Sequence, residues 1–297
     1  MSKNNFKVSI GLPVYNGENF LKYALDSLLS QTFRDFELII SDNASTDTTP
    51  KICQEYVLRD KRIRYIRQDN NMGVLWNFNF VLKQSNKEYF IWVSSDDKLH
   101  PEFLQKNIDI LEKNKNVVCS IGDVIYSDVI NYEFKLNNDT KKIFRQRYVK
   151  STYGTYESKV RTYLKFFQAS MIYGLYRRDK LQKSIITNKI FLAFDLSIIL
   201  NVLKYGDFHV IDENLLHRYN KGSHSIIGTM HKYDISLINI IFLEFPFTFW
   251  CLKNLGFKNF VKNFDLFVKL NLRGEYIIFG EIIRIIKRII FRQEMFW

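Results

Sequence analysis

The 297-residue chain has only three cysteines, Cys53, Cys119 and Cys251, an odd number at wide spacing with no CxxC pair. That excludes a disulfide framework and a structural zinc site, and predicts free thiols in a reducing compartment. Four prolines and twelve glycines exclude a long flexible linker, a collagen-like repeat and a low-complexity chain. No P-loop, GxGxxG, GxSxG or HExxH run occurs, which argues against kinase, dehydrogenase, serine-hydrolase and zincin chemistry. The apolar run after Lys7 stops at Pro13, too short for a signal peptide, so the first part of the protein is expected in the cytoplasm. The other long apolar run, Ile235–Leu252, is broken by Asn239, Glu244 and Pro246. Those breaks favour a core or interfacial helix pair over a membrane span.

What the chain has in quantity is aromatic side chains, 26 Phe and 17 Tyr, and positive charge. Residues 1–120 carry 16 Lys/Arg against 15 Asp/Glu, a net of +1; residues 121–297 carry 27 against 16, a net of +11. A basic half suits a nucleic acid, an anionic membrane or a phosphorylated substrate. A chain rich in Lys, Asn, Ile and Phe also gains basicity from base composition alone. The basic half lacks interleaved base-stacking motifs on a common face, so no nucleic-acid partner is expected. In Glu281–Arg292, Ile282, Ile283, Ile285, Ile286, Ile289 and Ile290 share one arc of roughly 160°. Arg284, Lys287, Arg288 and Arg292 take the opposite arc, and Phe291, Phe296 and Trp297 lie close by. A basic amphipathic helix of this kind reads as a membrane-surface contact, and otherwise as a helix packed on the protein's own core.

The first 120 residues alternate apolar runs with amphipathic stretches. Strands are expected at Lys7–Leu12, Glu37–Ser41, Ile63–Ile66, Tyr89–Ser94 and Val117–Ile121. Helices are expected at Gly17–Ser30, Lys51–Leu58, Val74–Gln84 and from Pro101 to about Lys113. Strands separated by helices mean βαβ units, a mostly parallel α/β sheet, and ligands beyond the carboxyl ends of the strands. Residues 130–155 read as a loop or a seam.

Polar groups recur at those strand ends. Ser94-Ser95-Asp96-Asp97 follows the apolar strand Tyr89–Val93. Adjacent carboxylates after a buried strand repel each other and are costly to desolvate, a difficulty that a hard divalent cation removes. Alone, the pair could equally cap the helix that opens at Pro101. Asp42 ends the neighbouring strand and can accept a hydrogen bond from a base imino group or serve a turn. Asp47, nearer the next helix, suits the capping role better. His100, His209 and His231 have no metal-like spacing and are expected to be structural.

Five stretches, Val8–Leu21, Ser27–Thr32, Glu37–Asp47, Asn71–Gly73 and Ser95–Asp97, resemble in order and spacing the family 2 glycosyltransferases with a GT-A fold. The resemblance is firm to about Asn116 and looser to about Ser225. It implies a nucleotide-sugar donor, uracil being the expected base, and a Mn2+ or Mg2+ cofactor. By position, Pro13, Tyr15 and Glu18 would line the nucleotide pocket, Asp42 would meet the base, Asp96 the ribose or sugar, and Asp97 the metal. Ser94 stands where many relatives have a further Asp. Phe194-Asp195 resembles the family's acceptor-side acidic segment, so Asp195 is the implied base, with a helix N-cap as the plainer reading. Arg218 and His224, in His217–Ser225, resemble a segment that closes over the diphosphate, His224 completing the metal shell.

The expected organisation is a donor-binding part at 1–120, an acceptor-binding part of the same GT-A domain at 121–230, and a helical membrane-associating extension at 231–297. The expected activity is metal-dependent, inverting transfer of a hexosyl or N-acetylhexosaminyl unit to a hydroxyl of a lipid-linked or surface glycan. The expected place is the inner face of the plasma membrane. The alternative is a degenerate nucleotide-binding scaffold docked at a membrane, without turnover.

Overall fold

A computed structural model describes residues 6–127, 144–145, 150–166, 169–186, 194–219 and 244–293. The chain divides into two compact units: residues 1–188 with 198–221, and residues 189–197 with 222–297. In the first unit, β1 (Val8–Val14), β2 (Phe36–Asp42), β3 (Ile63–Arg67) and β4 (Tyr89–Trp92) form the parallel half of one mixed sheet. Between them run α1 (Leu21–Leu29), α2 (Thr49–Arg59) and α3 (Val74–Gln84), the crossovers that parallel pairing requires. The later strands are β5 (Asp97–Leu99), β6 (Val117–Ser127), β7 (Phe144–Arg145), β8 (Leu175–Arg177) and β9 (Asp207–Tyr219). Among the described residues the strand order is β3-β2-β1-β4-β8-β6-β9-β5, with β7 on β6. Between β5 and β6 lies α4 (Phe103–Lys113); α5 (Tyr156–Phe166), a 3-10 turn at Ala169–Tyr173, α6 (Arg178–Gln182) and α7 (Phe194–Val202), whose residues 194–197 count with the second unit, complete this stretch.

The parallel half follows from composition. Every residue of β1 is buried, and so are Leu38, Ile39 and Ile40 of β2 and all of β4. Strands covered on both faces read as continuous apolar runs, as these do. Truncating one such side chain, Ile10→Ala for instance, costs about 2–5 kcal/mol in a close-packed core. β1 continues through Pro13, where the sequence suggested a stop. Pairing with β4 ends at Gly11↔Trp92, while pairing with β2 runs on to Val14↔Asp42. Gly11 O accepts the Val93 amide on the β4 side, and Pro13 shares that parity. The missing proline N–H therefore faces the side where strand pairing has ended.

Two features went beyond the sequence expectations. β5 was not foreseen, and β6 extends to Ser127 because β9 pairs along its whole length, from Val117↔Asp207 to Ser127↔Tyr219. All three cysteines are buried and free. Burial pushes the Cys53 thiol up to about 12, helped by the charges of Asp42 and Asp47.

The second unit contains α8 (Phe245–Asn254), α9 (Phe257–Lys262) and the 30-residue α10 (Phe264–Gln293). The basic amphipathic segment expected at 281–292 is thus the end of a helix that starts at Phe264. Asn271 on α10 donates to Thr248 Oγ1 on α8 at 2.8 Å. Phe247, Cys251, Leu255, Phe267 and Leu270 form its buried core. Among the described residues no helix is long and apolar enough to cross a membrane.

Candidate active site at the strand ends

Parallel pairing of β1 with β2 and β4 brings the segments after Val14, Asp42 and Trp92 to one edge of the sheet. The loop after β1 is clasped to the loop after β2. The amides of Asn16, Gly17 and Glu18 donate to Ser45 Oγ (2.9 Å), Thr49 Oγ1 (2.8 Å) and Asp47 Oδ2 (3.1 Å). In return Asn16 Oδ1 accepts the Thr46 amide, and Glu18 Oε2 accepts from the amide and hydroxyl of Thr48. Asp47 Oδ1 takes the Thr49 amide at the start of α2, the helix-entry role expected of it. A Cβ at Gly17 would stand 2.7 Å from Val14 Cγ2 and 3.4 Å from Ser95 Oγ. The first loop therefore lies directly against the turn that carries Asp96 and Asp97.

Asp42 is wholly buried, at 0% exposure. Its Oδ1 accepts the Ser45 amide at 2.8 Å, its Oδ2 accepts Tyr65 O–H at 2.8 Å, and Arg67 Nε lies 3.7 Å away. Each carboxylate oxygen keeps a further lone pair, but a base reaching Asp42 must share it with Tyr65. Ala44, in the left-handed region at φ 62°, makes the sharp turn between Asn43 and Ser45. Asn43 ties this loop to the next one: Nδ2 donates to Asn71 Oδ1 (2.8 Å) and Oδ1 accepts the Met72 amide (2.9 Å). Pro13 is buried in the strand, whereas Tyr15 is half-buried in the loop beyond it.

The two adjacent aspartates diverge. Asp96 is half-buried and accepts from Ser94 Oγ. Asp97 is 1% exposed and turns inward, where β5 pairs antiparallel with β9 in the register Asp97↔Arg218. Arg218 Nε donates to Asp97 Oδ1 at 3.2 Å. The guanidinium also lies 4.4 Å from the Tyr173 ring centroid and 5.9 Å from that of Tyr126, a cation–π setting. Burial pushes the Asp97 carboxyl up to about 7; Arg218 opposes that and Asp96 adds to it. Asp97 Oδ2 is buried with no hydrogen-bond partner. An orphaned carboxylate oxygen beside a second carboxylate is a donor set suited to a hard cation. No group of three or more His, Cys, Asp or Glu that could hold a metal occurs among the described residues, so any ion here would draw further ligands from elsewhere.

Beside this pair, His217 Nε2 meets Ser127 Oγ at 2.7 Å, and burial, with the charge of Lys98, pulls the imidazole down to about 4. It is therefore neutral near pH 7. His224 and His231 lie outside the described residues.

Asp195 belongs to the second unit, in the first turn of α7, half-buried, with Oδ1 accepting the Leu196 amide at 2.9 Å. In the same unit, burial pushes the Glu244 carboxyl up to about 7; the charge of Asp195 raises it further and Arg273 lowers it. Glu244 Oε2 is buried without a hydrogen-bond partner. Sequence reasoning took Glu244 only as an interruption of an apolar run. It also missed Tyr65, Tyr126 and Tyr173, whose roles depend on strand register and have no local signal.

Comparison with known proteins identifies the family and the fold. An uncharacterized glycosyltransferase of Rickettsia typhi is 36% identical over 126 residues, 41% of this chain and 38% of that protein. Glycosyltransferase GlyA of Streptococcus pneumoniae is 35% identical over 99 residues, covering 33% of this chain and 14% of its own. The chain thus aligns with well under half the length of these relatives. Staphylococcus aureus TarS, solved with UDP-GlcNAc, superposes with a TM-score of 0.58 at 22% identity over 74% of this chain and 60% of its own. That likeness places the GT-A fold. The family model for glycosyl transferase family 2 matches residues 9–184, the stretch that holds every strand-end residue described above apart from His217 and Arg218. That match covers more than half of the sequence, and the chain belongs to glycosyl transferase family 2.

Proposed function

We propose that the protein is a divalent-cation-dependent, inverting glycosyltransferase that moves a sugar from a UDP-sugar to a hydroxyl of a lipid-linked or surface glycan. One observation carries this reading: Asp42 ends β2, and Tyr15, Asp96 and Asp97 follow the adjacent β1 and β4 at the same sheet edge, with the buried Asp97 Oδ2 left unpartnered. Family membership and the fold shared with TarS, which was solved with UDP-GlcNAc, support the choice of donor.

In this reading Tyr15 stacks on the base and Asp42 accepts a hydrogen bond from its imino N–H, while Pro13 and the Glu18–Thr48 clasp fix the loop around it. Asp96 takes a ribose or sugar hydroxyl. Asp97, with His224 as a further candidate, would hold a Mn2+ or Mg2+ ion, which supplies Lewis-acid neutralisation of the departing diphosphate. Arg218 offers paired donors to the same phosphates. Asp195 accepts the proton of the acceptor hydroxyl as that oxygen bonds to C1 and the C1–O bond to the diphosphate breaks. The basic C-terminal half suits an acceptor carried at the inner face of a membrane.

Thermal-shift titration with UDP- and GDP-sugars, with and without Mn2+, followed by a donor-hydrolysis assay, tests this. A Mn2+-dependent Tm rise with one UDP-sugar and its slow hydrolysis are expected. Binding without any hydrolysis or transfer would leave the non-catalytic scaffold. No shift with any nucleotide sugar would sink both.

A further inference from the structure

The long helix of the second unit carries an exposed apolar stripe that begins well before the expected basic tail. Phe264, Val268, Leu272, Tyr276, Phe279 and Ile283 of α10 are all exposed, Leu272 at 66% and Tyr276 at 79%. At about 100° per residue they fall within one arc of roughly 120°. The buried Phe267 and Leu270 lie on a different arc, so the stripe is not the face that packs on the unit's own core. α9 adds exposed Phe257, at 75%, and Val261. Six large apolar side chains left open along about five turns demand an occupant.

The charge pattern chooses it. Lys269 and Arg273, both exposed, flank the stripe on one side at roughly 140° and 180°. Lys253, Lys258 and Lys262 are exposed as well. Residues 245–283, which include the whole of that face, hold five Lys/Arg and three Asp/Glu, 5 − 3 = +2. By position Asp265 and Glu275 fall on the apolar arc and are outnumbered. Exposed apolar side chains on helices that also carry exposed lysines suit an anionic lipid surface, which meets both features at once. A second copy of this helix would want a seam spaced alternately three and four residues. Here the spacing is four, four, four, three, four, which drifts around the helix and does not hold one line against a partner.

We infer that the Phe264–Ile283 face of α10, with Phe257 beside it, lies in the headgroup layer of an anionic membrane with its axis along the surface. This deepens the membrane-side reading proposed above and moves its main contact from the tail to the body of the helix. Lys253, Lys258, Lys262, Lys269 and Arg273 meet lipid phosphates, while the Phe, Leu and Tyr side chains enter the boundary between headgroups and acyl chains.

Co-sedimentation of the full-length protein with phosphatidylcholine vesicles, with and without phosphatidylglycerol, tests it. The variants are the triple substitution Leu272→Ser/Tyr276→Ser/Phe279→Ser and a deletion of residues 281–297. All three substituted positions are exposed, so the circular dichroism and Tm of the triple variant are expected to match wild type. Wild type is expected to bind the anionic vesicles, less so at high salt. The triple variant should partition about tenfold more weakly or worse, and the deletion should retain a large part of the binding. If wild type ignores anionic vesicles, the membrane-side reading itself fails. If wild type binds and the triple variant binds equally, the stripe is not the contact. Light scattering supplies a further check: a wild-type dimer that the triple variant abolishes, with vesicle binding unchanged, assigns the stripe to a second copy and overturns the inference.

Discussion

The strand-end loops of the first unit and the helices of the second invert each other's habits. In the loops, charged groups are buried and paired: Asp42 with Tyr65 and Ser45, Asp97 with Arg218 between two tyrosine rings. Along α9 and α10, large apolar groups stand in solvent beside lysines. Burying a carboxylate and exposing a phenyl ring are both unfavourable for a free-standing fold. A sequence keeps such arrangements when something outside it repays them. In the readings proposed above, the loops would take a small, polar, highly charged ligand and the helices an extended, soft, apolar one.

The contrast breaks most readily at Asp97. Asp97→Asn should abolish cation-dependent turnover, a loss of three orders of magnitude or more in donor hydrolysis. It should also lower Tm, since Arg218 would be left without its counter-ion. Near-normal activity would remove Asp97 from the cation site. Asp195→Asn should reduce kcat by about 10²–10⁴ with UDP affinity unchanged, as expected for a lost general base. If affinity falls and kcat does not, Asp195 binds and does not deprotonate. Tyr65→Phe is expected to strengthen UDP binding several-fold without moving the kcat of the donor-saturated enzyme, because it frees the Asp42 oxygen that Tyr65 now shares; isothermal titration reads it, and weaker binding would remove the competition.

The smallest effect belongs to the second unit and concerns pH. Glu244, ordinarily near 4.5, is pushed up to about 7, so the fold favours its neutral form. Its contribution to stability is full below pH 4.5 and is lost as pH rises through about 7. Wild-type Tm should therefore decline over that window relative to Glu244→Gln, in which this part of the pH dependence is flattened. Parallel Tm–pH curves for the two proteins would remove the role of Glu244.

Much of the first unit was legible because its signals are local. Apolar runs fully covered by helices announce β1, β2 and β4, and the Val74–Gln84 helix was read to the residue. The polar groups at strand ends could be listed in advance because a parallel sheet gathers them by topology. Their partners could not. Tyr65 reaches Asp42 through the register of β2 on β3, and Arg218 reaches Asp97 through a pairing between strands more than a hundred residues apart. The same holds for β5, three residues long, which exists only because β9 offers it an edge. In the second unit periodicity suggested a helix at 281–292 but not that it begins at Phe264. The exposed stripe from Phe264 became visible only once Phe267 and Leu270 were seen to take up the inward face.

The three cysteines are all enclosed, and burial drives the Cys53 and Cys251 thiols far from ionisation. Thiolates are the reactive species, so maleimides and mild oxidants should leave the native protein untouched. A single cysteine placed on the surface, at Tyr276 or at Thr46, would then take a fluorophore or spin label selectively, with no need to strip the natural thiols first. The molecule arrives ready for spectroscopy.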